Sequence, residues 1–92
     1  MIEQVLWSLE SLRFLQSITS SHFTPDETSI YRRNLMNEIE QKIIVLGTSM
    51  PSKEEQYLGT YRVVVDRHKV YYSLDPLGTV AYIESIKHMR MQ

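Results

Sequence analysis

The hydrophobic pattern of this chain changes period more than once. Ile2 to Trp7 alternates, with Val5 and Trp7 on one side and Gln4 and Leu6 on the other, which predicts a short first strand. Leu9, Leu12, Leu15 and Ile18 then recur at every third position, which reads as the buried stripe of a helix. Ser8 caps that helix and Glu10 sits in its first turn, where negative charge meets the positive end of the dipole. The Thr19-Ser20-Ser21 cluster, poor in helix propensity, ends it.

A second helix carries the strongest local signals. Thr24-Pro25-Asp26-Glu27 is a capping box with proline at the first helical position. Tyr31, Leu35, Ile39, Ile43 and Leu46 follow at spacings of three or four, and Gly47 is a natural left-handed stop. The pattern predicts a helix over residues 25–46, antiparallel to the first. Residues 48–57 read as a connection or a functional loop, with small residues, Pro51 and then Lys53-Glu54-Glu55-Gln56.

From Thr60 the period becomes two. Thr60 to Val65 is rich in β-branched and aromatic residues, with Tyr61, Val63 and Val65 on one face and Arg62 and Val64 on the other. Asp66-Arg67-His68 turns the chain into a strand from Lys69 to Leu74, with Tyr72 beside Val70 and Leu74 in the core. Asp75-Pro76-Leu77-Gly78 matches a type I turn, and Thr79 to His88 makes the last strand. In it Ala81 and Ile83 share a face but Ile86 is out of phase, so a bulge is expected near Glu84-Ser85. The expected architecture is a single α+β domain over residues 1–92. A short N-terminal strand and an antiparallel two-helix hairpin pack on one face of a largely antiparallel sheet, and its C-terminal part is a three-stranded meander.

Composition narrows the chemistry. The 92 residues include no cysteine, which excludes disulfides, thiolate metal sites and cysteine nucleophiles. The N-terminus lacks a secretory signal and no segment is apolar enough to span a bilayer, so a cytoplasmic protein is expected. Net charge is -1, unlike the basic footprint of avid nucleic-acid binders. Residues 1–46 hold four Lys/Arg against six Asp/Glu, and residues 47–92 hold six against five. What positive charge there is favours the meander half.

The candidate residues follow from that bias. Arg62, mid-strand among hydrophobes, is placed either to grip phosphate or carboxylate from the open sheet face or to pair with Asp66 or Glu84. His88 can act as an acid or base, and Arg90 can join it beside Arg62. The face that His88 occupies depends on the bulge. Tyr71 either stacks a base or covers the sheet. Glu54 and Glu55 are a carboxylate base or a solvated loop. His22, His68 and His88 show no ligand-like spacing, so no metal site is expected. Arg32-Arg33 is too short a run for a nucleic-acid patch.

In this order the elements resemble the RelE/ParE superfamily of bacterial toxins. The resemblance spans nearly the whole chain and rests on the helical hairpin, Leu58-Gly59-Thr60-Tyr61-Arg62-Val63-Val64-Val65, Lys69-Val70-Tyr71-Tyr72, Ile83 to Ile86 and the terminal His88-Met89-Arg90. It implies the toxin of a type II toxin–antitoxin module, often a plasmid-stabilisation system, neutralised by a cognate antitoxin. Operator DNA would be reached only through that antitoxin. RelE-like members cleave mRNA on the ribosome without metal or cofactor; ParE-like members inhibit DNA gyrase. For cleavage the resemblance implies Arg62 as clamp, His88 as acid or base with Arg90 assisting, and Lys53 and Tyr71 as substrate contacts. The chain departs from the ribonuclease pattern in its near-neutral charge and in the acidic residues around Lys53. A non-toxic binding module of the same fold is the alternative.

Overall fold

The computed structural model describes residues 1–18 and 23–90. The elements run β1 (Gln4–Trp7), α1 (Leu9–Ser17), α2 (Pro25–Leu46), a 3-10 turn (Glu55–Tyr57), β2 (Tyr61–Val65), β3 (His68–Leu74) and β4 (Val80–His88). The strands form one sheet in the order β1-β4-β3-β2. The β2-β3-β4 part is the expected antiparallel meander, and β1 adds to β4 in parallel, with Gln4 opposite Val80 and Trp7 opposite Ile83.

Helix α2 forms where its signals place it. The Thr24 hydroxyl accepts from the Glu27 amide, and the Glu27 carboxylate accepts from the Thr24 amide. Leu35, Ile39 and Ile43 are buried against the sheet, as their spacing requires. Tyr72 donates from its hydroxyl to the Gly47 carbonyl, and the Trp7 indole donates to Glu40 at 2.8 Å, so the C-terminal part of the helix is fastened to two strands.

The stripe expected on α1 is corrected. Leu15 is buried, but Leu9 is 63% and Leu12 37% exposed, and Ser11 is fully buried instead. A spacing of three drifts by about 60° per step around an α-helix, so Leu9 ends far from the face of Ile18. The face that packs is Ser11, Phe14, Leu15 and Ile18, with a serine in one apolar slot. That small residue suits a close junction: the Ser8 amide donates to the Ile83 carbonyl, and the Ser11 hydroxyl donates to the Ser8 carbonyl. Helix α1 gives way to extended backbone at Ile18; Thr19, Ser20 and Ser21, expected to stop it, lie outside the described residues, as does His22. The Arg32 guanidinium donates to the carbonyls of Ile18 and Gln16, holding α2 to the end of α1. No helix among the described residues is long and apolar enough to cross a membrane.

Two turns set the register of the meander. Asp66 and Arg67 have φ of 46° and 65°, the left-handed pair of a two-residue hairpin, so His68 already belongs to β3. At the other end the Gly78 amide donates to the Asp75 carbonyl at 2.9 Å. The Asp75 carboxylate accepts from the amides of Thr79 and Val80, which lowers its pKa. The bulge falls where the phase break puts it: Tyr71 faces Ser85 and Tyr72 faces Ile83, leaving Glu84 as the extra residue.

Candidate functional site on the open sheet face

Register decides which side chains meet. Arg62, Tyr71 and Ser85 lie in one cross-strand row, and Val64, Lys69 and Lys87 lie in the next row on the same face. This face is turned away from the helices. The loop before β2 folds back over part of it, tied by the Arg62 amide to the Met50 carbonyl at 2.8 Å and by the Ser52 amide to the Thr60 carbonyl at 2.9 Å.

The loop brings two residues onto the row. The ring of Tyr57 stacks on Tyr71, centroids 3.9 Å apart and 13° from parallel. Glu54 accepts a 2.6 Å hydrogen bond from the Tyr71 hydroxyl. Its other oxygen lies 3.7 Å from Lys69 Nζ and 4.0 Å from Arg62 Nη1. Lys87 Nζ sits 4.8 Å from the centre of the Tyr57 ring, a cation–π contact, and the Tyr57 hydroxyl donates to Ser85 at 3.4 Å. Three cations and two tyrosines therefore surround one carboxylate.

Electrostatics follow from this packing. The Tyr71 hydroxyl lowers the Glu54 pKa, helped by Lys69, Lys87 and Arg62, so the carboxylate stays ionised and is a weak base at neutral pH. Burial and the Glu54 charge push Tyr71 up to about 12, so it is a neutral donor.

The sequence-derived candidates divide between two faces. Arg62 is on the open face as expected, but its partner is Glu54 rather than Asp66 or Glu84. Asp66 instead accepts from the Tyr31 hydroxyl, and Glu84 from Ser73. Tyr71 covers the sheet: it has no exposed surface. Lys53 is exposed and forms no ion pair with a described residue. His88 faces the helices. It lies opposite His68, which lies opposite Val65, three residues from Arg62 and therefore on the other side of the sheet. The His68 ring meets His88 edge-on at 5.3 Å and Phe14 of α1 at 5.8 Å. Arg90 follows the strand end, its amide donating to His88 Nδ1 at 3.1 Å. The structure thus does not bring Arg62 together with His88.

Tyr57, Lys69 and Lys87 do not stand out in the sequence. Lys69 stands two residues before Tyr71, and Lys87 two after Ser85, so alternation combined with the bulge carries the signal for both. Nothing local marks Tyr57. Among the described residues no group of three His, Cys, Asp or Glu side chains is placed to hold a metal ion.

A two-helix, mixed four-stranded α+β layer of this topology is the fold found in RelE–RelB toxin–antitoxin complexes. The chain superposes with a TM-score of 0.62 on a chain of the RelBE2 toxin–antitoxin complex from Mycobacterium tuberculosis, at 16% identity over 96% of this chain and 99% of that one. It superposes with a TM-score of 0.60 on a chain of the archaeal RelE–RelB complex from Pyrococcus horikoshii, at 20% identity over the full length of both. No family model matches the sequence, and no curated protein matches it significantly. The resemblance in sequence to RelE/ParE toxins thus holds at the level of the fold.

Proposed function

We propose that this chain is the toxin of a type II toxin–antitoxin module, cytoplasmic and held inactive by a cognate antitoxin. The observation that carries this reading is the end-to-end match in fold to chains of two RelE–RelB complexes. Leu9, Leu12, Ile30 and Val45, apolar side chains left exposed on the two helices, are consistent with a protein partner that covers them. Any contact with operator DNA would run through the antitoxin.

RNA cleavage is the first reading of its action. Arg62, Lys69 and Lys87 share one face, a suitable arrangement for charge developing on a phosphate attacked by the neighbouring 2′-hydroxyl. Exposed Lys53, on the same loop as Glu54, adds a contact for the chain of phosphates. One observation favours the second reading, gyrase inhibition. The group implied as acid or base, His88, lies across the sheet from Arg62, and gyrase binding asks no proton transfer of the chain.

Inducible expression in bacteria without the antitoxin tests both. Rapid loss of translation with mRNA cut within codons supports cleavage. DNA breaks and gyrase-dependent damage support the second reading. Normal growth sinks both and leaves a binding module.

A further inference from the structure

The open-face cluster holds an internal anion. Glu54 does not belong to the sheet; it is brought there by the loop over residues 48–60. Its carboxylate is held by the Tyr71 hydroxyl and lies against Lys69 and Arg62, cations that an incoming phosphate needs. A carboxylate and a phosphate oxygen ask for the same partners: N–H and O–H donors at hydrogen-bond distance and compensating positive charge.

We infer that Arg62, Lys69 and Lys87 form a phosphodiester-binding site whose resting occupant is the Glu54 carboxylate, held there by the Tyr71 hydroxyl and displaced when a nucleic-acid phosphate enters. This rests on reading the open face as the working surface of the proposed toxin. The tie is weak enough to exchange. The Arg62 and Glu54 side chains retain 38% and 33% of their exposure, and ion pairs so exposed are screened by water and salt. The occupant is also fastened at one point that can be removed without losing the aromatic stack, the Tyr71 hydroxyl. Glu54 therefore does two opposed things. It relieves repulsion among three like charges in the free protein, and it competes with the ligand for them.

The opposition makes the inference testable on the purified chain, with a short fluorescein-labelled single-stranded RNA as probe and anisotropy as readout. Glu54→Gln keeps an acceptor for Tyr71 but removes the charge. It tightens RNA binding on the order of three- to tenfold at low salt, steepens the salt dependence, and lowers Tm. Tyr71→Phe keeps the stack with Tyr57, frees Glu54, and moves affinity the same way by less; it serves as the second route should Glu54→Gln disturb the loop. Arg62→Ala weakens binding. Unchanged or weaker RNA binding in both Glu54→Gln and Tyr71→Phe overturns the inference, because Glu54 then merely positions the cations. The toxin reading is separable from this result. Growth arrest on expression together with unchanged affinity in both variants rejects the competing carboxylate alone. RNA binding that shifts as described in a chain that never arrests growth rejects the toxin and keeps the site.

Discussion

Tyr57 stacks on Tyr71 nearly in parallel, a loop residue closing over a strand residue that has no exposed surface of its own. The contact joins residues fourteen positions apart in sequence and lays an apolar ring of the loop on the open face. Stacked aromatic pairs contribute about 0.5–1.5 kcal/mol beyond the area they bury. Tyr57→Ala is therefore expected to destabilise the fold by about 1–3 kcal/mol, whereas Tyr57→Phe, which loses only the long bond to Ser85, costs little. Urea denaturation of the two variants checks this. Equal midpoints for Ala and Phe would show that the stack does not hold the loop.

The cations of the open face are expected to act together on a nucleic acid. Lys69→Ala and Lys87→Ala each weaken single-stranded RNA binding several-fold and flatten the plot of log affinity against log salt by about 0.7 for each phosphate no longer neutralised. Arg62→Ala abolishes growth arrest on expression and leaves antitoxin binding intact. Retained toxicity in Arg62→Ala would move the working surface elsewhere on the fold.

His68 gives the chain a pH dependence. It is buried against Phe14 with Nδ1 unpartnered among the described residues, and burial, then the neighbouring His88, holds its pKa below the ordinary value. The unfolded chain therefore takes up the proton first. The contribution is present above the unfolded value of about 6.5 and lost as pH falls below it. Melting temperature should drop as pH falls below about 6.5, and His68→Phe, which keeps an edge-on ring against Phe14, should remove part of that slope. A slope identical in the variant would assign it to other groups.

Arg67 sits at φ 65°, where a Cβ is disfavoured. Its side chain makes no hydrogen bond or ion pair with a described residue, while its carbonyl accepts from the Met89 amide at 2.8 Å. Arg67→Gly keeps that bond and turns the hairpin into an Asp-Gly turn, the sequence such turns favour. A gain of about 0.5–1 kcal/mol is expected, or roughly 2–6 °C in Tm for a chain this size. A lower Tm would mean that the added backbone freedom of glycine outweighs the strain.

How far the sequence reveals the molecule depends on whether its signals are local. The capping box at Thr24 and Glu27 and the 3–4 spacing from Leu35 to Ile43 are satisfied within one helix, so α2 could be read directly. The phase break before Ile86 was enough to locate the bulge at Glu84. That bulge also settles His88: once it returns Ile86 to the core face, His88, two residues on, goes with it. Helix α1 misled because leucines at every third position look like a stripe, while the position that packs is a serine. The roles of Glu54 and Tyr57 could not be seen, because they arise from a loop folding back onto strands that follow it. The parallel partner of β1 was equally hidden, since nothing in Val5 or Trp7 names β4.

That parallel pair has a consequence for how the protein comes into being. The β2-β3 hairpin and α2 close on near neighbours, but Gln4 through Trp7 must wait for Val80 through Ile83. During synthesis β1 therefore leaves the ribosome long before its docking edge exists. Until then Trp7 lacks the strand neighbour that holds it toward Glu40, and the sheet stays one strand short. The last strand to find its place is the first one made, so the chain reaches its finished shape only after translation has passed β4.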